Sequence, residues 1–484
     1  MKYDIAAALK DCVHGGWKKR RMKRRSIGCV ALAVLFIATA CGARLTNAQR
    51  DAALGGLVNN NATSPSVGSQ TFTGTGPGVG PAGSSGPVIG PSASGSGAPL
   101  PAGGNGGATD IGITGNSITL ATVADVSGVQ PGIFRSAWQA MQAAAQYINS
   151  SGGIYGRSIK NLLLDSQADS TANRAAVQQA CDQSFAQVGS MSAFDDGGAT
   201  VGQQCGIPDI SAITVNRPRS LATNVYPASP NGPTYINTSW GLYIKQKYPE
   251  AIKHSAMLWL NAGATAQNSR QRVYALTQLG YNFVYKAETG VLEPNYQPYV
   301  NAMQKAGVQF VNMVADYQSI VRLEKAMEQQ GWFPTVRVWD SVAYSQNFLK
   351  LAGTSGNGAL VFMNTAMFEE ASSNPEMQLY ETWLQRVAPG AVPDYFGLYA
   401  WSAGRLFQKA ALAAGPRLTR KALFAQLKQI HSWSDYGLHV TQDIGNKREA
   451  NCTLYMEIRN QQFTRIFPSS GWSCAGSLMP TPNY

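Results

Sequence analysis

The chain has 484 residues, 44% hydrophobic and 14% charged, with a formal net charge of +12. Residues 1–40 hold nine Lys/Arg and two Asp, so +7 of that charge lies there and only +5, without a cluster, is left for the rest. No basic patch interleaved with aromatics and no nucleic-acid motif occurs, which argues against nucleic-acid binding.

The first element is a leader. Lys18, Lys19, Arg20, Arg21, Lys23, Arg24 and Arg25 precede the uncharged apolar run Ile27–Ala40, the order of a basic n-region and a short h-region. That run is shorter than the ~20 apolar residues a membrane-spanning helix needs. Ala38-Thr39-Ala40-Cys41 resembles the bacterial lipobox, in which the cysteine is lipidated and becomes the mature N-terminus. The resemblance implies that residues 1–40 are removed and that Cys41 anchors the protein on the extracytoplasmic face of the membrane. An ordinary signal peptide with an incidental cysteine, or an uncleaved anchor, is the alternative. Met22 offers a second start with a more ordinary leader, so the true N-terminus stays open.

From Ala52 to Thr109 there is no charged residue, only a stretch rich in Gly, Ser, Pro, Thr, Ala and Asn. Such a segment has too little to bury to offset its conformational entropy, so residues 41–109 are expected to form a disordered tether. As a Gly-rich coil it would span roughly 40–45 Å. Beyond the leader and Cys41, four cysteines remain: Cys181, Cys205, Cys452 and Cys474. An even number in an oxidising compartment suggests disulfides, and the local pairs Cys181–Cys205 and Cys452–Cys474 are expected because each closes a short loop. Four buried free thiols are the alternative. The spacings fit no zinc site, and no metal is expected.

The folded body runs from 110 to 484, long enough for two lobes. Short apolar runs alternate with longer helical ones, the pattern of an α/β fold with parallel sheets. Ser117–Val123 reads as a first strand and Phe134–Ser150 as a helix with Trp138, Met141, Ala145 and Ile148 on one face. Gly152 and Gly153 stop it, and a strand, Ile159–Leu164, follows. Ala172–Phe185 reads as a helix, Val188–Ala193 and Ile207–Ile213 as strands. Around Ser255–Asn261 a second α/β series begins, with later strands at Gly280–Tyr285, Val308–Val314, Val336–Trp339 and Ala359–Asn364. Helices are expected at Tyr317–Gln330, Glu376–Arg386 and Gly397–Ala414, and a hairpin over Thr453–Ile466 turning near Asn460. The first lobe takes about 110–230 and the second about 250–365, each with a later return segment.

The run from Ile148 and Asn149 through Gly152-Gly153-Ile154-Tyr155-Gly156-Arg157 to Ile159 and Asp165 resembles a specific block of type I periplasmic solute-binding proteins. These are the substrate-binding subunits of branched-chain-amino-acid ABC transporters. Gly206-Ile207-Pro208, Thr214 and Tyr399-Ala400 are similar to the same family. The resemblance implies two lobes, each a parallel sheet flanked by helices, joined by a three-crossover hinge and closing on a small ligand. It implies no cofactor, a monomer, and ABC permease and ATPase subunits as partners.

Carried over residue by residue, the resemblance places Ser192 and Thr214 at the ligand carboxylate, Tyr317 over the ligand, and Asp340 at the acidic position that pairs with an ammonium. Ser192 and Thr214 also read as turn residues serving their own loops, Asp340 as a solvated strand end, and Tyr317 and Tyr344 as rim or core aromatics. Asp195-Asp196 is an acidic addition, which makes Asp195 a further ligand-binding candidate and would favour a cationic or amine-bearing ligand. Ala262–Gln267 replaces the family's Asp and Tyr-Gly. Both departures weaken a branched-chain amino acid assignment. No nucleophile elbow, HExxH, P-loop or GxGxxG after a strand is present, so no enzyme is expected. The expected function is capture of a small polar solute, an amino acid or related amine or amide, for an ABC importer. A ligand-sensing receptor of the same fold is the alternative.

Overall fold

A computed structural model describes residues 97–482 except 231 and 233. The leader, Cys41, Met22 and most of the expected tether lie outside the described residues.

The N-lobe is built on β1 (Ser117–Ala124), β2 (Ser158–Asp165), β3 (Ala186–Val188) and β4 (Asp209–Ile210), parallel and ordered β2-β1-β3-β4. Between and after them come α1 (Arg135–Ser150), α2 (Ser170–Gln183), α3 (Asp196–Cys205) and α4 (Arg217–Leu221). The C-lobe begins after β5 (Tyr235–Asn237) and α5 (Ser239–Lys247). It continues through β6 (Ser255–Leu260), α6 (Thr265–Gln278), β7 (Phe283–Thr289), α7 (Gln297–Lys305) and β8 (Phe310–Val314). It is completed by α8 (Tyr317–Gln329), β9 (Val336–Trp339), α9 (Gln346–Ala352) and β10 (Leu360–Met363).

Helices α10 (Pro375–Val387), α11 (Tyr395–Ala414) and α12 (Arg420–Leu427) then return to the N-lobe, where their apolar faces share one core with β1, β3 and α1. The hairpin β11 (Leu454–Arg459) and β12 (Gln462–Phe467) goes back to the C-lobe sheet, ordered β12-β11-β10-β9-β8-β6-β7. Its five sequential strands are parallel and the hairpin is antiparallel. The chain thus crosses between lobes three times, near residues 229–238, 364–366 and 449–453. This is the α/β fold with parallel-sheet lobes that the sequence pattern pointed to.

The most specific sequence block serves the N-lobe scaffold. Asn149 clamps the backbone of Ile159, accepting from its N–H at 2.6 Å and donating to its carbonyl at 3.0 Å. Gly153 has φ +70°, and a Cβ there would meet the Arg157 carbonyl at 2.2 Å, so only glycine fits this turn. Arg157 is fully buried, and its guanidinium donates to the carbonyls of Thr114, Pro416, Asn105 and Gly107. A buried guanidinium must find acceptors, and two of these come from the glycine-rich stretch. That corrects one expectation: residues 97–109 are docked on the N-lobe, with Asn105 buried and donating to Gly115 and Tyr155.

Other differences are local. Strands β3 and β4 are shorter than expected and β3 starts earlier; Gly189 turns at φ +68°, and beyond it Met191 meets Ala124 of β1 only as an isolated bridge. Helices α3 and α6 were missed because their residues are largely small or polar, with a weak apolar stripe.

Both local disulfides are present, Cys181–Cys205 and Cys452–Cys474. The second fastens a C-terminal strap across the hinge. Beyond Cys474, β13 (Leu478–Pro480) pairs antiparallel with β5 in the first crossover, and Thr238 exchanges two hydrogen bonds with Ser477 at 2.9 Å. Thr453, in the third crossover, exchanges backbone bonds with Ser473. Replacing Cys452 and Cys474 by Ser should lower the unfolding free energy by about 3 kcal/mol and expose the strap to protease. Chemical denaturation and limited proteolysis of the double variant check this; an unchanged midpoint would contradict it.

Candidate functional site

The carboxyl ends of the strands in both lobes face one cavity of about 290 Å³. Open α/β sheets bind ligands at this edge. The N-lobe wall begins at Asp125, the first residue after β1. Its buried carboxylate accepts from the Ser166 hydroxyl and Ala168 N–H after β2, and from the Ser192 hydroxyl (2.8 Å) and Ala193 N–H (2.8 Å) after β3. The Asp125 backbone carbonyl accepts from Phe134 N at 3.1 Å, closing the loop that carries Val129, Gln130 and Ile133 into the cavity.

The C-lobe wall uses the ends of β6, β8 and β9. Leu260, Ala262, Ala264 and Thr265 precede and open α6; Val314–Gln318 lead into α8; Asp340–Val342 and Tyr344 follow β9. Asp316 caps α8, accepting from Ser319 N at 3.0 Å and the Ser319 hydroxyl at 2.7 Å. Gln130 reaches across from the N-lobe and donates to Asp316 Oδ2 at 2.9 Å. Gly263 also bridges the lobes: with φ +48°, a Cβ there would lie 2.6 Å from the Ala193 carbonyl. The lobes are therefore closed on each other in this structure.

The walls are mainly apolar and aromatic, with Phe194, Tyr317, Tyr344, Tyr395 and Phe396 among them. Phe396 meets Phe134 edge-on at 4.8 Å, and Tyr344 stacks on Phe368 at 5.2 Å. The charged residues lining this cavity are Asp125, Asp316, Asp340 and Asp394. Asp394 caps α11 through Gly397 N at 2.8 Å, and burial raises its carboxyl above the usual range.

A second cavity of about 190 Å³ continues from the first toward the hinge. There Arg272 pairs with Asp340 at 2.9 Å and lies over the rings of Trp240 and Phe362. Glu449, recessed beside them, is pushed up from 4.5 to about 8 by burial, against the pull of Arg272. Tyr395 lines both cavities, and burial pushes its phenol up to about 12.

The five residues singled out from the sequence divide. Tyr317 and Asp340 line the main cavity, Asp340 already held by Arg272. Ser192 and Thr214 are buried outside its lining; the Ser192 hydroxyl is given to Asp125, and it is Val215 that faces the cavity beside Thr214. Asp195 is also buried away from it. Its carboxylate accepts from Val215 N and Asn216 N at 3.0 Å, and burial raises it to about 6 against the opposing charge of Arg219. Asp125, Gln130, Arg272, Tyr395 and Glu449 were missed. A carboxylate directly after the first strand was the one available signal, for Asp125.

The sequence pattern of a family described as periplasmic binding protein matches residues 117–462, most of the chain. The chain belongs to the periplasmic binding protein family. No curated protein sequence matches it. Solved structures share the fold at low identity. A fatty acid ABC transporter substrate-binding protein from Thermomonospora curvata is 17% identical with a TM-score of 0.65, covering 79% of this chain and 97% of its own. A leucine-binding protein from Thermotoga maritima is 14% identical with a TM-score of 0.59, covering 72% and 97%. An ABC transporter solute-binding protein from R. palustris, in complex with 4-hydroxybenzoate, is 14% identical with a TM-score of 0.63, covering 76% and 99%.

Two predictions follow from the walls of this family member's cavity. Asp125→Ala orphans two buried hydroxyls and two half-buried backbone N–H groups and should cost about 3 kcal/mol of stability, whereas Gln130→Ala should leave the melting temperature nearly unchanged and increase the radius of gyration seen by small-angle scattering. Equal behaviour of the two variants would contradict the separate roles. The raised Glu449 carboxyl carries a sign of its own. The unfolded chain loses that proton from about pH 4.5 upward and the folded protein only near pH 8, so Glu449 costs stability as pH rises between them. Glu449→Gln should therefore raise the melting temperature near pH 9 and not near pH 4.

Proposed function

We propose that this periplasmic binding protein captures a small solute with a compact apolar body and a polar end, and delivers it to an ABC permease. The observation that carries the reading is the closed interlobe cavity, walled by apolar and aromatic side chains at the strand ends of both lobes. Polar groups in such a wall orient a ligand, and its apolar area supplies the affinity. Every carboxylate in the main cavity is already bonded to protein: Asp125 to its four donors, Asp316 to Gln130 and Ser319, Asp340 to Arg272, Asp394 to Gly397. The solute therefore meets mostly hydrocarbon there. This favours a larger apolar part than the amino acid or amide expected from the sequence.

Capture proceeds by hinge closure. Opening breaks the Gln130–Asp316 bond and the Gly263–Ala193 contact; solute entering the open cleft touches both walls and favours their return. Only a solute that contacts both lobes shifts this balance. Among the described residues no helix is long and apolar enough to cross a membrane. Delivery by a protein lipidated at Cys41 and held on a tether then fits an extracytoplasmic receptor kept beside its permease.

A thermal-shift panel of aliphatic and aromatic amino acids, amines, alcohols and carboxylates tests the reading. At a hundredfold excess over its dissociation constant the right solute should add about 2.7 kcal/mol and raise the melting temperature measurably. A flat response across the panel would contradict solute binding.

A further inference from the structure

The main cavity does not end at Asp340. The annex beyond it shares Met191, Val215, Asp340, Ser341, Tyr395 and Phe396 with the first, and is closed at its far end by the hinge residues Ser229, Asn237 and Cys452. The two cavities therefore lie side by side, and a solute spanning both would pass between these shared side chains.

Its chemistry differs from the main cavity's. Arg272 is committed: besides the Asp340 pair it donates to Asn312 Oδ1 at 3.3 Å, and two aromatic faces hold its plane. Glu449 makes no ion pair among the described residues, and Arg272 acts on it only through space. Asn268, on α6, also lines the annex, and its buried Oδ1 has no protein donor. A buried acceptor left without a donor costs about 1–3 kcal/mol. One carboxyl without an ion-pair partner thus lines a space whose single cation is already paired.

We propose that the annex is a polar subsite that takes the hydrogen-bond-donating head of the solute, an amine before a hydroxyl, against Glu449 and beside Asn268, while the apolar body fills the main cavity. This rests on the solute-binding reading above and adds which end goes where. An anionic head is disfavoured at both ends. The main cavity's charged lining is carboxylate, and in the annex an anion would meet Glu449 and compete with Asp340 for Arg272. Without a solute Glu449 holds its proton to about pH 8; an ammonium beside it favours the ionised carboxylate, and the two then make a charge-assisted bond, the stronger kind.

Titration calorimetry of the whole protein with phenethylamine, phenethyl alcohol and phenylacetate tests this, since the three share a ring and differ at the head. The expected order is amine tightest, alcohol weaker, phenylacetate weakest. Glu449→Gln should weaken the amine about tenfold or more and leave the alcohol nearly unchanged, so the alcohol shows that the variant is folded. Asn268→Leu, which fills the annex, should weaken amine and alcohol together. Phenylacetate binding tightest, or amine affinity unchanged in both variants, would overturn the subsite while leaving solute binding intact. If none of the three binds, the subsite assignment fails, and the wider panel decides the solute-binding reading separately.

Discussion

The cleft depends on one buried carboxylate. Asp125 follows the central strand β1, and the loops after β2 and β3 are drawn to it by two hydroxyls and two backbone N–H groups. Ionised carboxylates are expensive to bury unless hydrogen-bonded on several sides, and here the bonds are what position the wall. The same residue's carbonyl closes the loop that presents Gln130, so the bond across the cleft to Asp316 stands on the Asp125 hub. Lose the hub and three loops lose their common anchor.

A division of labour follows from it. Polar side chains at the strand ends mostly bind protein, not ligand, which leaves apolar and aromatic groups to form the main cavity. Glu449, a cavity-lining carboxyl in no ion pair among the described residues, lies instead near the hinge. That region is where the crossovers meet and where the strap fastened by Cys452–Cys474 is laid across them. Occupancy and hinge geometry therefore share residues, Cys452 and Asn237 among them.

Much of the fold was legible in the sequence for local reasons. The block from Asn149 to Arg157 could be read because it is a contiguous turn whose glycine and buried arginine each have a steric or electrostatic job within a few residues. The β11–β12 hairpin was legible from its alternation, with Asn460 and Gln461 at positive φ in the turn. The site was less legible because its contacts are long-range. Ser192 looks like a ligand-binding serine until Asp125, 67 residues earlier, takes its hydroxyl. Asp195 looks like an acidic ligand-binding residue until the N–H groups of Val215 and Asn216 close on it. Tyr317 and Asp340 stood out as strand-end residues, and both line the cavity. Arg272 lies on α6, a helix whose weak apolar stripe gave no sign of it.

The central claim, that solute binding draws the two lobes onto one another around this cavity, is tested most directly by the distance between them. One spin label on exposed Gln178 of α2 and one on exposed Lys325 of α8 report it by pulsed electron resonance. With a solute that calorimetry shows to bind, the account predicts a broader, longer distribution collapsing to one shorter distance. Identical distributions with and without that bound solute would contradict it.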